Sequence, residues 1–400
     1  MTADATLCDN RPLAGARILI VTHFGAEVEG SRRACTAILE PSVRGIVAAG
    51  GQALVAPIRA DDRDREDRWL RSLGGELLWL PLRPRYNPLY FGRLRRAIDD
   101  LQPHLVHAQF IPADLYGAVA ALTARCRPAV LVTAHNLYHT LRTWRYLLPV
   151  YRWMLRRGAR FAGVSKAVTD SIAAPLGMPA DQVEVLLNPR EALTPVTPDE
   201  RTAARHTLGL APDGPVVGFL GRVTYQKGVD TLFRAFAEFR RSRPNAALII
   251  AGDGDEVPSL KQLADDLGII AAVRFLGAYT DVRAVAQPLD LVVMPSRWEG
   301  LPIAATEVAM LGLPLVCSDI QPMTELADRL AVPGWPRLVA NGHQDASAIA
   351  SAMAEVADSL DGFRASAQVA SQSAADLFTR QSTQRLIALY CELLALRHSP

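Results

Sequence analysis

Apolar positions along this chain fall into short β-branched runs, separated by longer stretches in which apolar residues recur every three or four positions. Runs of the first kind predict strands, stretches of the second kind predict amphipathic helices, and their alternation predicts an α/β protein. In the first half the predicted strands are "RILIV" (17–21), "ALVAP" (53–57), "ELLWL" (76–80), "LVHAQ" (105–109), "AVLVT" (129–133) and "RFAGV" (160–164). Helices are predicted between them, among others over 31–49 and 87–101. The pattern then starts afresh with "PVVGFL" (215–220), "AALIIAG" (246–252), "VRFLG" (273–277), "LDLVVMP" (289–295) and "LPLVCSD" (313–319). Between the halves, "LLNPREALTPVTPDE" (186–200) carries three prolines after Asn188 and little periodicity, as a linker would. The alanine-rich residues 345–397 read as helical. The prediction is therefore two doubly wound domains: 1–190, a linker over 191–211, a second domain over 212–380, and a last helix over 381–400 able to pack back toward the first. Ligands of such sheets bind beyond the carboxyl ends of the strands, so the predicted site lies in the cleft between two such domains.

Composition narrows the class. With 400 residues, 50% hydrophobic and 21% charged, the chain is a folded protein too long for one ordinary core. Cys8, Cys35, Cys126, Cys317 and Cys391 are scattered without close pairing, which argues against a disulfide framework or a zinc site and suits a reducing compartment. The opening "MTADATLCDNRPLAGARILIV" has no positive-then-apolar signal, and no apolar run reaches membrane-spanning length, so the expectation is a cytoplasmic chain. Residues 1–190 hold 25 Lys+Arg against 17 Asp+Glu, and the remainder 18 against 24. A basic first half and an acidic second half predict two domains that meet different partners.

Almost every cation is an arginine; Lys166, Lys227 and Lys261 are the three lysines. Lys227 stands in "GRVTYQKGVD" (221–230), between a predicted strand and a predicted helix, five residues after Arg222. Two cations on a loop at the carboxyl edge of a sheet could neutralise a diphosphate, or could simply be solvated. "PSRWEGLPIAATEVAMLGLPLV" (295–316) reads as strand, turn and helix, with Pro302 as the first helical residue and Gly312 closing the helix. The N–H groups of Leu301, Ile303 and Ala304 would offer an anion site. Glu299 before it and Glu307 beyond it could grip hydroxyls on either side of a bound phosphate, or be two solvated glutamates on an ordinary helix.

These two stretches together resemble the retaining glycosyltransferases of family four (group 1), which have the GT-B fold of two Rossmann-like domains facing across a cleft. Glu299 and Glu307 are separated by seven residues, as in that family's E-x7-E motif. "RILIVTHFG", "PHLVHAQ", "VLVTAHN", "FAGVSKAV", "LIIAGDGDE" and "VRFLGAYTDV" agree with the family in order, so the resemblance spans nearly the whole chain. It implies a nucleotide-diphosphate sugar as donor, a hydroxyl acceptor that can be lipid-linked, and no metal or other cofactor. By the same resemblance Arg222 and Lys227 bind the diphosphate, Glu307 the ribose, and Glu299 faces the transferred sugar. Gly300, Leu301, Pro302 and Ile303 lie close to sugar and phosphate, and Arg274 and Phe275 lie near the base. His135 of "VTAHN" matches a histidine near the sugar, Gly25 a loop glycine near the phosphates, and Gly30, Arg32 and Asn136 fall on the acceptor side. Two departures stand out. Pro189 replaces the glycine that usually follows the asparagine at Asn188, which puts the hinge-side contact of Asn188 in doubt. "EVEGSRR" replaces a glycine pair in a loop that shapes the acceptor site, which points to an atypical acceptor.

Rival patterns are weaker. Asp253-Gly-Asp255 and Asp62-x-Asp64 form D-x-D spacings, the first in a turn and the second at a mixed-charge helix start. No G-x-G-x-x-G or G-x-x-x-x-G-K-[ST] is complete, which disfavours nicotinamide and ATP. "YHTLRTWRYLLPVYRWMLRRGAR" (138–160) and "RPRYNPLYFGRLRR" (83–96) mix arginine with aromatics. Such stretches suit an anionic membrane surface, at the inner face for a cytoplasmic protein, or equally a core helix with a solvated basic face. No nucleic-acid-binding module is present. A nucleotide-sugar epimerase, a phosphorylase, or an inactive glycan-binding scaffold are the other readings. For a phosphorylase, no suitable motif surrounds Lys166 or Lys261.

Overall fold

A computed structural model describes residues 11–23, 29–58, 60, 62–80, 88–138, 144–179 and 182–398, with the backbone alone for 29–34, 88, 397 and 398. The described residues fall into two compact units, one formed by those within 11–23, 35–191 and 379–398, the other by 29–34 and 192–378.

Among the described residues the first unit contains β1 (Arg17–His23), β2 (Gln52–Ile58), β3 (Glu76–Leu77), β4 (Leu105–Gln109), β5 (Ala129–Ala134), β6 (Arg160–Gly163) and β7 (Glu184–Val185). They form one parallel sheet in the order β3-β2-β1-β4-β5-β6-β7. Ile18, Leu19, Ile20 and Val21 of β1 are all fully buried, as expected of a central parallel strand covered on both faces. The second unit contains β8 (Val216–Leu220), β9 (Ala247–Ala251), β10 (Val273–Gly277), β11 (Leu291–Met294), β12 (Leu315–Ser318) and β13 (Arg337–Val339), parallel in the order β10-β9-β8-β11-β12-β13. The strand order reverses between β1 and β4 in one sheet and between β8 and β11 in the other. Beyond the carboxyl ends of those pairs, doubly wound sheets offer a crevice.

Packing follows the predicted periodicity. The helix Val229–Ser242 buries Val229, Leu232, Phe233, Phe236 and Phe239 against the second sheet, and each large side chain so buried contributes roughly 1.5–3 kcal/mol. Its last turn carries Arg240 and Arg241, which complement the negative end of the helix dipole.

The structure departs from the sequence expectations at some elements. β3 is two residues long rather than five, and β7 and β13, of two and three residues, lie at sheet edges where short pairing leaves no alternation to read. The linker contains a helix, Pro198–Thr207, entered through a capping box in which Thr197 accepts from the Glu200 amide and Glu200 accepts from the Thr197 amide. Pro198 therefore starts that helix instead of breaking it. Pro302 is the N-cap rather than the first helical residue: its ψ of 81° is outside the helical range, and the helix runs Ile303–Met310. The C-terminal helical region is divided into Ala346–Asp358, Leu360–Ala375 and Ser382–His398, with a π-helical stretch Asp376–Gln381.

Candidate functional site

The loops following β8 and β11 leave neighbouring strands at the reversal point of the second sheet, and they are laced together. Gly228 has φ of +64°, and a Cβ there would stand 2.1 Å from the Pro295 carbonyl oxygen, so glycine alone permits this approach. The Arg297 amide donates to the Gln226 carbonyl at 2.8 Å, and the Gln226 side-chain amide donates to the Trp298 carbonyl at 2.9 Å. The Arg297 guanidinium donates to the Tyr225 carbonyl at 2.6 Å and pairs with both Asp230 carboxylate oxygens at 2.8 and 3.0 Å.

This framework brings Lys227 onto Glu299. Lys227 Nζ lies 2.6 Å from Glu299 Oε1, with the two side chains 12% and 4% exposed. Ser296 Oγ donates to the same oxygen at 2.7 Å, while Oε2 has the Gln226 amide at 3.4 Å. A pair so far removed from water needs such extra hydrogen bonds to offset its desolvation. One ammonium proton of Lys227 is committed to Glu299, which leaves two directions for other oxygens. Gln226 and Ser296 were not picked out from the sequence, although each stands beside a motif residue.

The remaining predicted residues of this unit stand on the same two loops, on the helix that follows the second of them, and on the edge strand β10. Arg222 is exposed and makes no side-chain hydrogen bond or ion pair among the described residues. Gly300 and Leu301 lead into the helix Ile303–Met310, whose N-cap Pro302 has no side-chain oxygen to cap the amides beyond it. Glu307 is buried in the second turn of that helix. Arg274 is exposed and donates to the Ala271 carbonyl at 2.8 Å, and Phe275 packs against Phe233 with Lys261 Nζ 5.4 Å from its ring centre. The D-x-D rivals have local roles. Asp62 caps the helix Arg63–Ser72 and Asp253 accepts from the Gly254 amide. Among the described residues no three His, Cys, Asp or Glu side chains come together as a metal would require.

In the first unit, His135 follows β5. Its ring stacks on Phe110, centroids 3.8 Å apart, and its Nε2 lies 3.2 Å from Gln109 Oε1. Burial, with a smaller contribution from His107, pushes its pKa down to about 3, so the imidazole is neutral at ordinary pH. With the Gln109 amide so oriented, Nε2 carries the proton and Nδ1, buried and without a partner, is left as an acceptor. Phe110, at φ +65°, holds a conformation that side chains seldom adopt outside constrained sites. His107, buried behind it, is bonded to Tyr390 Oη at 2.7 Å and Thr133 Oγ1 at 2.8 Å, and burial holds its pKa at about 3 as well. Asn136 is exposed. Gly30 and Arg32 lie on the backbone of the helix Glu29–Ala48, in the part of it that groups with the second unit, and Gly25 lies outside the described residues.

The helix Trp144–Arg156 buries Trp144, Tyr151 and Met154 and exposes Arg145, Tyr146, Arg152 and Arg156. Tyr151 and Tyr138 donate to the fully buried Asp114 carboxylate, which burial raises above its ordinary pKa while those bonds pull it back. No helix among the described residues is long and apolar enough to cross a membrane.

Residues 200–360 match the family described as "Glycosyl transferases group 1", and residues 43–191 match "Glycosyltransferase Family 4". An uncharacterized glycosyltransferase of Methanocaldococcus jannaschii is 33% identical over 168 residues, 41% of this chain and 43% of that protein. A D-inositol 3-phosphate glycosyltransferase of Nocardia farcinica is 36% identical over 180 residues, 42% of this chain and 39% of its own length. The chain thus spans less than half the length of either relative. Among solved structures, Anabaena HepE in complex with UDP-glucose superposes with a TM-score of 0.77 at 21% identity, covering 94% of this chain and 99% of that one. The fold is GT-B.

Proposed function

The chain belongs to the family 4, group 1 glycosyltransferases, and from that premise we propose that it moves a sugar from a nucleotide-diphosphate donor to a hydroxyl acceptor in glycoconjugate synthesis, with retention at the anomeric carbon and without a metal. One observation carries the reading: the Lys227–Glu299 pair, held at the carboxyl ends of β8 and β11 beside an uncapped helix start.

The roles are those the family resemblance implies, and this geometry is compatible with them. Lys227, with two unspent donor directions, and the exposed Arg222 bind the diphosphate and stabilise its charge as it leaves. The amides of Ile303 and Ala304 add the positive end of a helix. Glu299 keeps Oε2 available to accept from a sugar hydroxyl, and Glu307 accepts from the ribose. Cations fixed before the reaction cost no reorganisation when the bond to the diphosphate breaks, which is the main electrostatic contribution available here. The departing phosphate takes the acceptor proton, so no protein base is needed. In the first unit, neutral His135 accepts from a hydroxyl through Nδ1; at a pKa of about 3 it does not act as a cation. The basic, aromatic face of Trp144–Arg156 is proposed to rest on an anionic membrane surface where a lipid-linked acceptor resides.

HepE holds UDP-glucose, so UDP-glucose is the first donor to offer, followed by GDP- and ADP-sugars. Nucleotide release that requires an acceptor, with an α-linked product from an α-donor by proton NMR, is the expected result. Conversion of the donor without acceptor would instead identify an epimerase, and a β-linked product would remove retention.

A further inference from the structure

On the second unit, outside the Lys227–Glu299 contact, a cavity of about 490 Å³ opens between the start of the helix Val229–Ser242, the loop bearing Arg297 and Trp298, and the start of the helix Ala346–Asp358. None of the roles above uses it. Its volume is within the range of small-molecule sites.

The lining divides into three chemistries. Tyr225 and Trp298 form an aromatic wall, ring centroids 6.1 Å apart and tilted by 55°, with Tyr225 60% exposed. Tilted rings present one apolar face each and do not make the parallel slot that would clasp a planar base. The floor is Asp230, whose carboxylate holds Arg297 and still has lone pairs for hydroxyl donors. Arg297 is itself fully engaged, by Asp230, by the Tyr225 carbonyl and by the Tyr225 ring 4.0 Å from its guanidinium, with Glu256 adding to its electrostatic surroundings.

The rest of the lining is polar and includes one cation. Arg234 lines the cavity, is exposed, and makes no ion pair among the described residues. His343 lines it too, and its buried Nδ1 has no hydrogen-bond partner. Ala346 begins a helix of 13 residues at the rim, whose start is capped by Asp345, the carboxylate accepting from the Ala348 amide at 2.9 Å, so the helix end adds no unspent positive charge. This side is held in place: Thr231 Oγ1 donates to the His343 carbonyl at 3.0 Å, and Ser347 Oγ to Glu238 at 2.7 Å. With Arg297 and Asp230 paired, the lining keeps one uncompensated cation.

We propose that this cavity is a second saccharide-binding site, taking a sugar unit that bears a single anionic group. The aromatic wall stacks on the apolar face of a pyranose, Asp230 and Gln344 bond its hydroxyls, and Arg234 pairs with the anion. One unspent guanidinium matches one carboxylate or phosphate monoester better than a diphosphate, which would meet Asp230 as well. That the ligand is a sugar leans on the glycosyltransferase reading; that it is anionic rests on the cavity alone.

Calorimetry on the full chain tests this with a glucuronate-containing disaccharide, its neutral glucose counterpart, inorganic phosphate and UDP. The acidic disaccharide is expected to bind wild type about tenfold more tightly than the neutral one. It should bind Arg234→Gln about tenfold more weakly, with the melting temperature of that variant unchanged because Arg234 supports no ion pair. Saturating UDP and the Lys227→Ala substitution should leave the acidic disaccharide's affinity unchanged, which keeps this outcome separate from failure of the transfer reading. Equal affinities for the two disaccharides, indifference to Arg234→Gln, displacement by UDP, or phosphate binding as tightly as the acidic sugar would each overturn the proposal. Tyr225→Ser gives a second test, because losing the stacking face should weaken both disaccharides by similar factors.

Discussion

The candidate site residues of the two units are buried in different company. In the second, Lys227 and Glu299 are joined as an ion pair, with Ser296 and Gln226 supporting the carboxylate. In the first, His107 and His135 are buried without a carboxylate in bonding contact, and each pKa falls to about 3. An ion pair forms where a partner is supplied, and the two imidazoles are neutral where only neutral hydrogen bonds and aromatic rings are available. The contrast fits the proposed chemistry. A diphosphate requires fixed cations, whereas a sugar hydroxyl needs only a neutral acceptor.

The largest effect should come from breaking the charged side of that contrast. Lys227→Ala is expected to lower kcat by about 10²–10³-fold with the donor that proves active, since it removes a preorganised charge-stabilising donor. It also strands a buried carboxylate, so a lower melting temperature should accompany it. Adding Glu299→Gln should recover much of that stability without recovering the rate. If the double variant regains activity, Lys227 acts on Glu299 and not on the donor.

Acid tests the neutral side. A histidine whose folded pKa lies below its unfolded value of about 6.5 favours folding above pH 6.5, and that contribution is lost progressively as pH falls toward 3. By pH 5 the loss is about 2 kcal/mol for each imidazole, measurable as a falling urea midpoint between pH 7.5 and 5. His107→Asn should flatten that pH dependence, even if it lowers stability at pH 7.5. An unchanged slope would mean that other groups control the acid response.

A smaller effect tests the loop lacing. Gly228→Ala introduces a Cβ where φ is +64° and the Pro295 carbonyl is 2.1 Å away. It should destabilise the chain by at least about 1–2 kcal/mol and raise KM for the donor, read by thermal melting and steady-state kinetics. The smallest effect is His135→Phe. It keeps a ring against Phe110 and deletes one neutral hydrogen-bond acceptor, which should cost about 1 kcal/mol, or roughly fivefold in kcat/KM. A loss as large as that of Lys227→Ala would show that His135 carries charge or moves a proton.

How much of this was legible in the chain differs by element. Central strands such as β1 and β8 carry near-continuous apolar runs, Ile18–Val21 and Val216–Leu220, because both faces are buried. The edge pieces β7 and β13 are too short to carry a period. The helix Pro198–Thr207 was hidden by its prolines, although its Thr197 and Glu200 spacing is a capping box that the sequence displays. The family motifs were legible as well, since glycines and charged residues at set spacings stand out against an arginine-rich background.

The sequence by itself therefore determined the α/β class, the order of the central strands along the chain, the repeat of that pattern, and the identity of Lys227, Glu299 and Glu307 as residues to follow. Only the tertiary structure decided who touches whom. Lys227 and Glu299 are 72 residues apart, and they meet because β8 and β11 are neighbours in a sheet whose order reverses between them. His107 and Tyr390 are 283 residues apart, and their bond exists because the final helix returns to the first unit. Local periodicity reports which face of an element is buried. Partnership across such distances depends on strand order and crossover packing, which no local pattern encodes.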